Sequence, residues 1–295
     1  MSGETWRGLE GVRGLSDRLA AWARSEPGVT GLVLFGSLTR VDRHGDDWSD
    51  VDAMVLVDDR AGWLSARPAD WPAAIAPVWL SFLHPAPIPG VEVNQVLFAG
   101  GYDADIVVLD RGLFDAAMAD VATAAVILGH GYRVVFDDTG ALSAFTPPPG
   151  EMPELPDATA FGFAVHTSLF QLVWAVKRWR RGEEWRAVDD LNGYLKEHLL
   201  RLLEWSALLD GATVFGSARK MRDWARPDDL AGLGDAYGTY GSPRFPDAVR
   251  AHHALLRRVG GKVAARLGFA YPHEADGKVG QWIEDRFAEV SPGAP

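Results

Sequence analysis

Apolar residues in the first half of the chain come in short runs. Residues 32–35, 53–57, 78–83, 93–98, 106–109 and 133–136 are rich in Val, Leu, Ile and Phe and predict strands. Residues 9–24 instead place their apolar positions at helical intervals until Pro27 stops the pattern, and residues 113–128 read as a second helix. Strands and helices mixed in one stretch predict an α/β (α+β) unit built on a mixed sheet.

The pattern changes after Pro147-Pro148-Pro149-Gly150, which with Pro153 and Pro156 makes a stiff connection without secondary structure. Beyond it the spacing is helical. Residues 158–181 carry Phe161, Ala164, Leu169, Leu172, Val173 and Val176, and long helices are predicted over 188–209, within 242–267 and over 279–290. The predicted layout is an N-terminal α/β domain over 1–146, a linker over 147–157 and an all-helical bundle over 158–295. Ligand sites favour clefts between domains, so a substrate is expected between these two.

Candidate chemistry concentrates between residues 31 and 58. The apolar run 32–35 leads into Gly36-Ser37, and after a polar loop Ser49-Asp50-Val51-Asp52 opens the next apolar run. Asp50 and Asp52 are two positions apart at a strand start, so their side chains leave one face. Paired carboxylates repel unless a cation lies between them, and hard oxygen ligands suit magnesium. Gly36 and Ser37 offer backbone N–H groups and a hydroxyl to a phosphate at the start of a helix. A metal site beside a phosphate cradle is the equipment of phosphoryl or nucleotidyl transfer. A third carboxylate is available on the strand after the Gly100-Gly101 turn. Asp105, flanked by apolar residues, is the first candidate, and Asp103, of the same parity, is its rival. Arg40 is the nearest cation for phosphate charge. The isolated histidines, among them His84 and His166, show no zinc-ligand spacing.

Composition narrows the class. The 295 residues suffice for two domains, and 47% hydrophobic with 23% charged residues is globular. A net charge of −11 argues against a sequence-independent nucleic-acid binder and suits a polycationic small molecule. With no cysteine there is neither a disulfide framework nor a thiolate metal site. The first residues lack a signal-peptide core and no stretch reads as a membrane span, so a cytoplasmic location is expected. Most of the twelve tryptophans are read as packing residues, a few as the lining of a ligand cleft.

The Gly36-Ser37, Asp50-Val51-Asp52 and Asp105 arrangement resembles the nucleotidyltransferase superfamily, which has the DNA polymerase beta-like fold. Over most of its length the chain is similar to the streptomycin-type aminoglycoside 6-adenylyltransferases. Arg40, Leu97-Phe98 with Asp105-Ile106, 131–138, 199–205 and 265–272 carry that likeness. The resemblance implies an enzyme that moves AMP from ATP to a hydroxyl of a small cationic acceptor, most simply an aminoglycoside, with Mg2+. Asp50, Asp52 and Asp105 would be its catalytic metal ligands. Gly36, Ser37, Arg40 and Lys177 or Arg178 would hold the triphosphate, and Glu184 would meet the acceptor.

The chain departs from the family at Leu38, where a basic residue is usual. It has Asn192 and Lys196 where an acidic residue and an arginine are usual, and Gly216-Ser217-Ala218-Arg219-Lys220 in place of a Gly-Lys-x-Gly-Lys type stretch. These changes fall on the acceptor side. They keep open a different acceptor (a lincosamide, a metabolite or a protein side chain) and a nucleotide-binding or antitoxin-like module without turnover.

Overall fold

A computed structural model of the chain describes residues 11–40, 45–67, 69–140, 142, 145–150, 152–216 and 218–289. It divides into two compact units, Met1–Glu151 and Met152–Pro295.

The first unit is a six-stranded sheet with helices on both faces. Its elements are α1 (Gly11–Ser25), β1 (Val29–Phe35), β2 (Val51–Val57), α2 (Arg60–Ser65), β3 (Val78–Pro85), β4 (Glu92–Phe98), β5 (Tyr102–Asp110), α3 (Arg111–Ala119), α4 (Val121–Leu128) and β6 (Tyr132–Asp137). The strand order is β3-β4-β5-β2-β1-β6. β2 and β5 run parallel, and the remaining neighbours are antiparallel. β1 and β2 lie inside the sheet and are covered on both sides, so they read as continuous apolar runs rather than alternating ones. Leu32, Leu34, Ala53 and Val55 pack toward α1, and Val33, Met54 and Leu56 pack with Phe114 of α3 and Leu128 of α4.

A tryptophan cluster closes the α1 face. Trp22 stacks on Trp71 at 5.0 Å between ring centroids, and Trp63 meets Trp71 edge-on at 5.4 Å. The Arg67 guanidinium lies 3.6 Å over the Trp63 ring while ion-paired with Glu26.

The single helix expected over 113–128 is two. The Asp120 carboxylate accepts from Ala122 N at 3.1 Å and from Thr123 Oγ1 at 2.9 Å, which starts α4 afresh. Apolar spacing runs through the break and hides it.

The second unit is helical: α5 (Ala158–Arg180), α6 (Glu184–Asn192), α7 (Tyr194–Leu209), the short α8 (Met221–Trp224) and α9 (Pro227–Leu230), then α10 (Phe245–Leu267) and α11 (His273–Ala288). Leu169, Leu172 and Val176 of α5 share one core with Leu195, Leu199 and Leu202 of α7 and Leu256, Val259 and Val263 of α10. The helix expected over 188–209 starts earlier, at Glu184, and is broken at Gly193, whose φ of −99° and ψ of −91° leave the helical region. α11 starts six residues before the expected position, directly after Pro272.

The expectation that no stretch reads as a membrane span needs correcting. Among the described residues α5 is long and apolar enough to cross a membrane by length and composition. Its side chains Phe161, Leu169, Leu172 and Val176 are instead buried in the bundle core, which is the same composition used for packing.

Phe98 at the end of β4 is fully buried in the α1-side core. Phe98→Ala is expected to destabilise the first unit by about 3–5 kcal/mol, read from urea unfolding. A loss under about 1 kcal/mol would mean that this core is not close-packed.

Candidate active site

The site in the first unit begins where β1 ends. Gly36 has φ +68°, a left-handed conformation that favours glycine. A Cβ there would lie 1.8 Å from Asp52 Oδ2, so the Asp52 carboxylate sits directly against the Gly36 backbone. The segment Gly36–Thr39 is a single 3-10 turn, shorter than the helix start expected from the sequence. The Ser37 hydroxyl is buried and has no hydrogen-bond partner among the described residues. A buried hydroxyl left unpaired costs free energy, and a ligand oxygen is one way to satisfy it.

The flanking segments are fixed by short contacts. Ser37 O accepts from Gly45 N at 2.7 Å, and Ser49 Oγ accepts from Asp46 N at 2.9 Å, which assigns Ser49 to the loop rather than to a ligand. Thr39 Oγ1 donates to Gly131 O at 2.9 Å, tying the turn to the chain just before β6. Arg40 follows the turn, with Nη2 3.4 Å from His130 Nδ1.

The carboxylates are brought together by register. Asp52 of β2 is directly opposite Asp105 of β5 in the parallel pair. Asp105 is opposite Gln95 of β4, and Asp52 is opposite Phe35 of β1. Gln95, Asp105, Asp52 and Phe35 therefore form one row on one face of the sheet, with strands about 4.8 Å apart. Gln95 Nε2 donates to Asp105 Oδ2 at 3.2 Å. Asp103 lies one row outward on the same face, exposed, opposite Leu97. Crowding by neighbouring atoms raises its carboxyl above the usual carboxylate range. The Asp50 charge raises it further, a backbone hydrogen bond opposes the shift, and the Asp105 charge adds to it. Asp50, Asp103 and Asp105 thus sense one another electrostatically.

Among the described residues no three His, Cys, Asp or Glu side chains close into a metal cage. The expected trio Asp50, Asp52 and Asp105 shares one strand end without converging. Asp52 faces Gly36, Asp105 is bonded to Gln95, and like charges hold carboxylates apart. The donor set still fits a hard cation. It consists of oxygen ligands on a rigid sheet, with the register that puts Asp52 and Asp105 side by side.

The remaining candidates lie in the second unit. Lys177 is in the last turn of α5 and exposed, its Nζ 5.6 Å from the Trp174 ring and 6.0 Å from the Trp282 ring. Arg178 is ion-paired with Asp190 of α6 and half-buried. Its charge therefore already has a partner within the bundle. Glu184 opens α6 and is half-buried.

Asn192 and Lys196 both anchor the segment before α10. Asn192 Nδ2 donates to Gly238 O at 2.8 Å and its Oδ1 accepts from Gly238 N at 2.8 Å. Lys196 Nζ donates to Leu191 O at 2.9 Å and to Ala236 O at 2.7 Å, lies 3.3 Å from His252 Nδ1 and sits 4.6 Å from the Tyr237 ring. Burial pulls the Lys196 ammonium down to about 7. In the 216–220 stretch, Ser217 lies outside the described residues, and Ala218 and Lys220 have φ of 58° and 48°.

A family model described as streptomycin adenylyltransferase matches residues 12–286. The chain belongs to the streptomycin adenylyltransferase family. It is a nucleotidyltransferase of the aminoglycoside adenylyltransferase type, and the family implies a nucleotide co-substrate and typically a divalent metal. Among solved structures the chain is similar to an aminoglycoside 6-adenyltransferase from Bacillus subtilis. The identity is 16% and the TM-score 0.44, over 95% of this chain and 100% of that one. No curated protein sequence matches significantly.

For this adenylyltransferase, sequence reasoning missed Gln95. Pairing outward from the Gly100-Gly101 turn, with Phe98 opposite Tyr102, sets Gln95 opposite Asp105 and could have found it.

Gly36→Ala would drive Asp52 from its place. AMP transfer is expected to fall at least about a hundred-fold, while the thermal midpoint of the variant stays close enough to the parent for the fold to persist. Unchanged activity would show that the Asp52 position is unimportant. Lys196 gives a pH signature. Folded, it loses its proton near 7, and its ordinary value is 10.5. Between those values the unfolded chain binds more protons, so this group makes stability rise with pH across the window. Urea unfolding from about pH 7 to about pH 10 should show a shallower rise in Lys196→Met than in the parent. Equal slopes would mean that Lys196 stays charged throughout.

Proposed function

We propose that this enzyme transfers AMP from ATP to a hydroxyl of a small polycationic acceptor, an aminoglycoside such as streptomycin, with Mg2+ as its metal. The observation that carries this reading is the row Asp105–Asp52 set in register beside the Gly36 backbone, next to a buried Ser37 hydroxyl. Asp50, Asp52 and Asp105 are its metal ligands, Asp105 being preferred over Asp103 because it shares the row of Asp52. Bound there, the metal neutralises triphosphate charge and lowers the pKa of the attacking hydroxyl.

The acceptor hydroxyl releases its proton to water, its oxygen forms a bond to the α-phosphorus, the bond from that phosphorus to the bridging oxygen breaks, and pyrophosphate leaves. Gly36, Ser37 and Arg40 hold phosphate oxygens of the leaving group. Lys177 supplies a further cation for the triphosphate. Arg178 shares that role to the extent that its pair with Asp190 allows. Glu184 meets an acceptor amine. In this reading residues 1–146 are the catalytic domain and 158–295 bind the acceptor. The net charge of −11 favours a cationic acceptor and disfavours nucleic acid, and the location is cytoplasmic.

A second reading keeps the reaction and changes the acceptor. It is favoured by Asn192 and Lys196, which bind backbone here and replace the acidic residue and arginine usual in the family.

Incubation with ATP, Mg2+ and an aminoglycoside panel including streptomycin should release pyrophosphate and add the mass of one AMP to a panel member. Asp52→Ala should lower this rate at least about a thousand-fold, a loss of about 4 kcal/mol in transition-state stabilisation, with the fold retained. Activity persisting in Asp52→Ala would rule out the metal assignment.

A further inference from the structure

The two edges of the six-stranded sheet are built differently. β6 carries Arg133 and Asp137, its pairing with β1 shifts register, and its Val135 carbonyl accepts from Arg24 Nη2 at 2.7 Å. Charges, an irregularity and a covered carbonyl protect an edge from pairing with another chain. β3 lies at the other end of the strand order, and among the described residues no strand pairs with its outer side. Its eight residues include no Lys, Arg, Asp or Glu, and its only proline is the last of them.

β3 also turns apolar side chains to solvent. Trp79 is 64% exposed, Leu80 54%, Phe82 47% and Leu83 59%. The register with β4 shifts between Val78 and Leu80 and is regular from Leu80 to Pro85. Leu80 and Phe82 therefore leave one face of the strand, and Ser81 and Leu83 the other. Four large apolar side chains in a row make a patch of roughly 400–500 Å², the size at which such patches mark interaction sites on soluble proteins. The open row of backbone N–H and C=O groups beside them is completed by another strand, not by a helix or a small molecule.

The order of residues says which strand. Antiparallel pairing of β3 with a second copy of itself about a two-fold axis at Ser81 puts 80 opposite 82 and 79 opposite 83. Leu80 then lies across from Phe82 of the second copy, and Trp79 meets Leu83 of the second copy at each end. Ser81, the smallest side chain of β3, sits on the axis, where it must share space with itself. Moving the axis to Phe82 would set that ring against itself and pair Leu80 with His84, so the matching is particular to Ser81. Each chain carries a net charge of −11, and an edge free of charged groups is where two such chains meet with least repulsion. With the flanking backbone, the two copies together bury about 1,000 Å², the lower bound of a specific interface.

We infer that β3 is a self-association edge, through which two copies of this chain join antiparallel about Ser81 into one continuous sheet. This goes beyond the adenylyl-transfer reading and does not depend on it. The dimer is weak and reversible, as its small area dictates.

The test is sedimentation velocity of the full-length protein from about 1 to about 100 µM, where the parent should shift toward twice the chain mass. Leu80→Lys and Phe82→Glu should each weaken the dimer at least roughly ten-fold. Both side chains face solvent in the single chain, so the thermal midpoint at low concentration should stay unchanged. The double variant places opposite charges across the axis and should recover part of the dimer. Because the chain has no cysteine, Ser81→Cys introduces a single thiol per copy. Directly opposed strand residues have Cα atoms about 4.5–5.5 Å apart, within disulfide range. Copper–phenanthroline oxidation should therefore cross-link Ser81→Cys in higher yield than Asp138→Cys, which is exposed beside the other edge. A parent that stays monomeric at about 100 µM, an open-ended polymer, or a dimer that both charge variants leave intact overturns the inference. Equal cross-linking at 81 and 138, or no recovery in the double variant, overturns the pairing about Ser81.

Discussion

The site in the first unit depends on one close approach, that of the Asp52 carboxylate to the Gly36 backbone. Asp52 Oδ2 occupies the space that any other residue at position 36 would need for its Cβ. The positive φ at Gly36 independently excludes most residues. This approach is imposed by register. With Phe35 opposite Asp52, the turn that follows β1 must pass over the end of β2, and the parallel partner β5 then delivers Asp105 to the same row. The row sets two carboxylates side by side, and like charges at that spacing repel. It persists because the strands beneath are fully buried at Val51, Ala53, Ala104 and Ile106, so the backbone cannot yield to spread the charges.

The second unit solves a different problem. Its core is apolar and would form from many sequences of similar volume. What is particular is the treatment of the segment before α10, which has little apolar content of its own. Polar side chains from one stretch, Asn192 and Lys196, reach across to its backbone. Lys196 carries an amine into a buried place and surrounds it with two carbonyl oxygens, an imidazole nitrogen and a ring face. Such a group stabilises one arrangement of its neighbours far more than it stabilises the fold as a whole.

The six strands were legible because each is an apolar run flanked by turn residues. The breaks at Asp120 and Gly193 were not read, since both fall inside stretches whose apolar spacing continues past them. Asp120 followed by Val121-Ala122-Thr123 did carry a capping signal, but periodicity outweighed it. Asp50, Asp52 and Asp105 could be singled out as one face of two strand starts because strand parity is local, and the register does set Asp52 beside Asp105. That the Asp52 carboxylate lies against Gly36 was not legible, because the two meet only through cross-strand pairing, whereas Gln95 beside Asp105 was within reach of the hairpin register. The meaning of Asn192 and Lys196 was still further from reach. Their partners at Ala236, Gly238 and His252 lie on a distant stretch of chain, and sequence spacing says nothing about them.

These observations separate what such an enzyme can change from what it cannot. The side proposed to hold phosphate and metal is fixed at the level of backbone: a glycine with no space for a side chain and a register that flips every residue to the wrong face if it slips by one. Substitution there removes the arrangement outright. The helical side is fixed by side-chain anchors on backbone carbonyls and amides, which other donors and acceptors of similar reach could replace. Membership of the streptomycin adenylyltransferase family is therefore compatible with variation at 192 and 196. Asn192 and Lys196 fall where the physical constraint is on the position of a loop rather than on the identity of the residues that hold it.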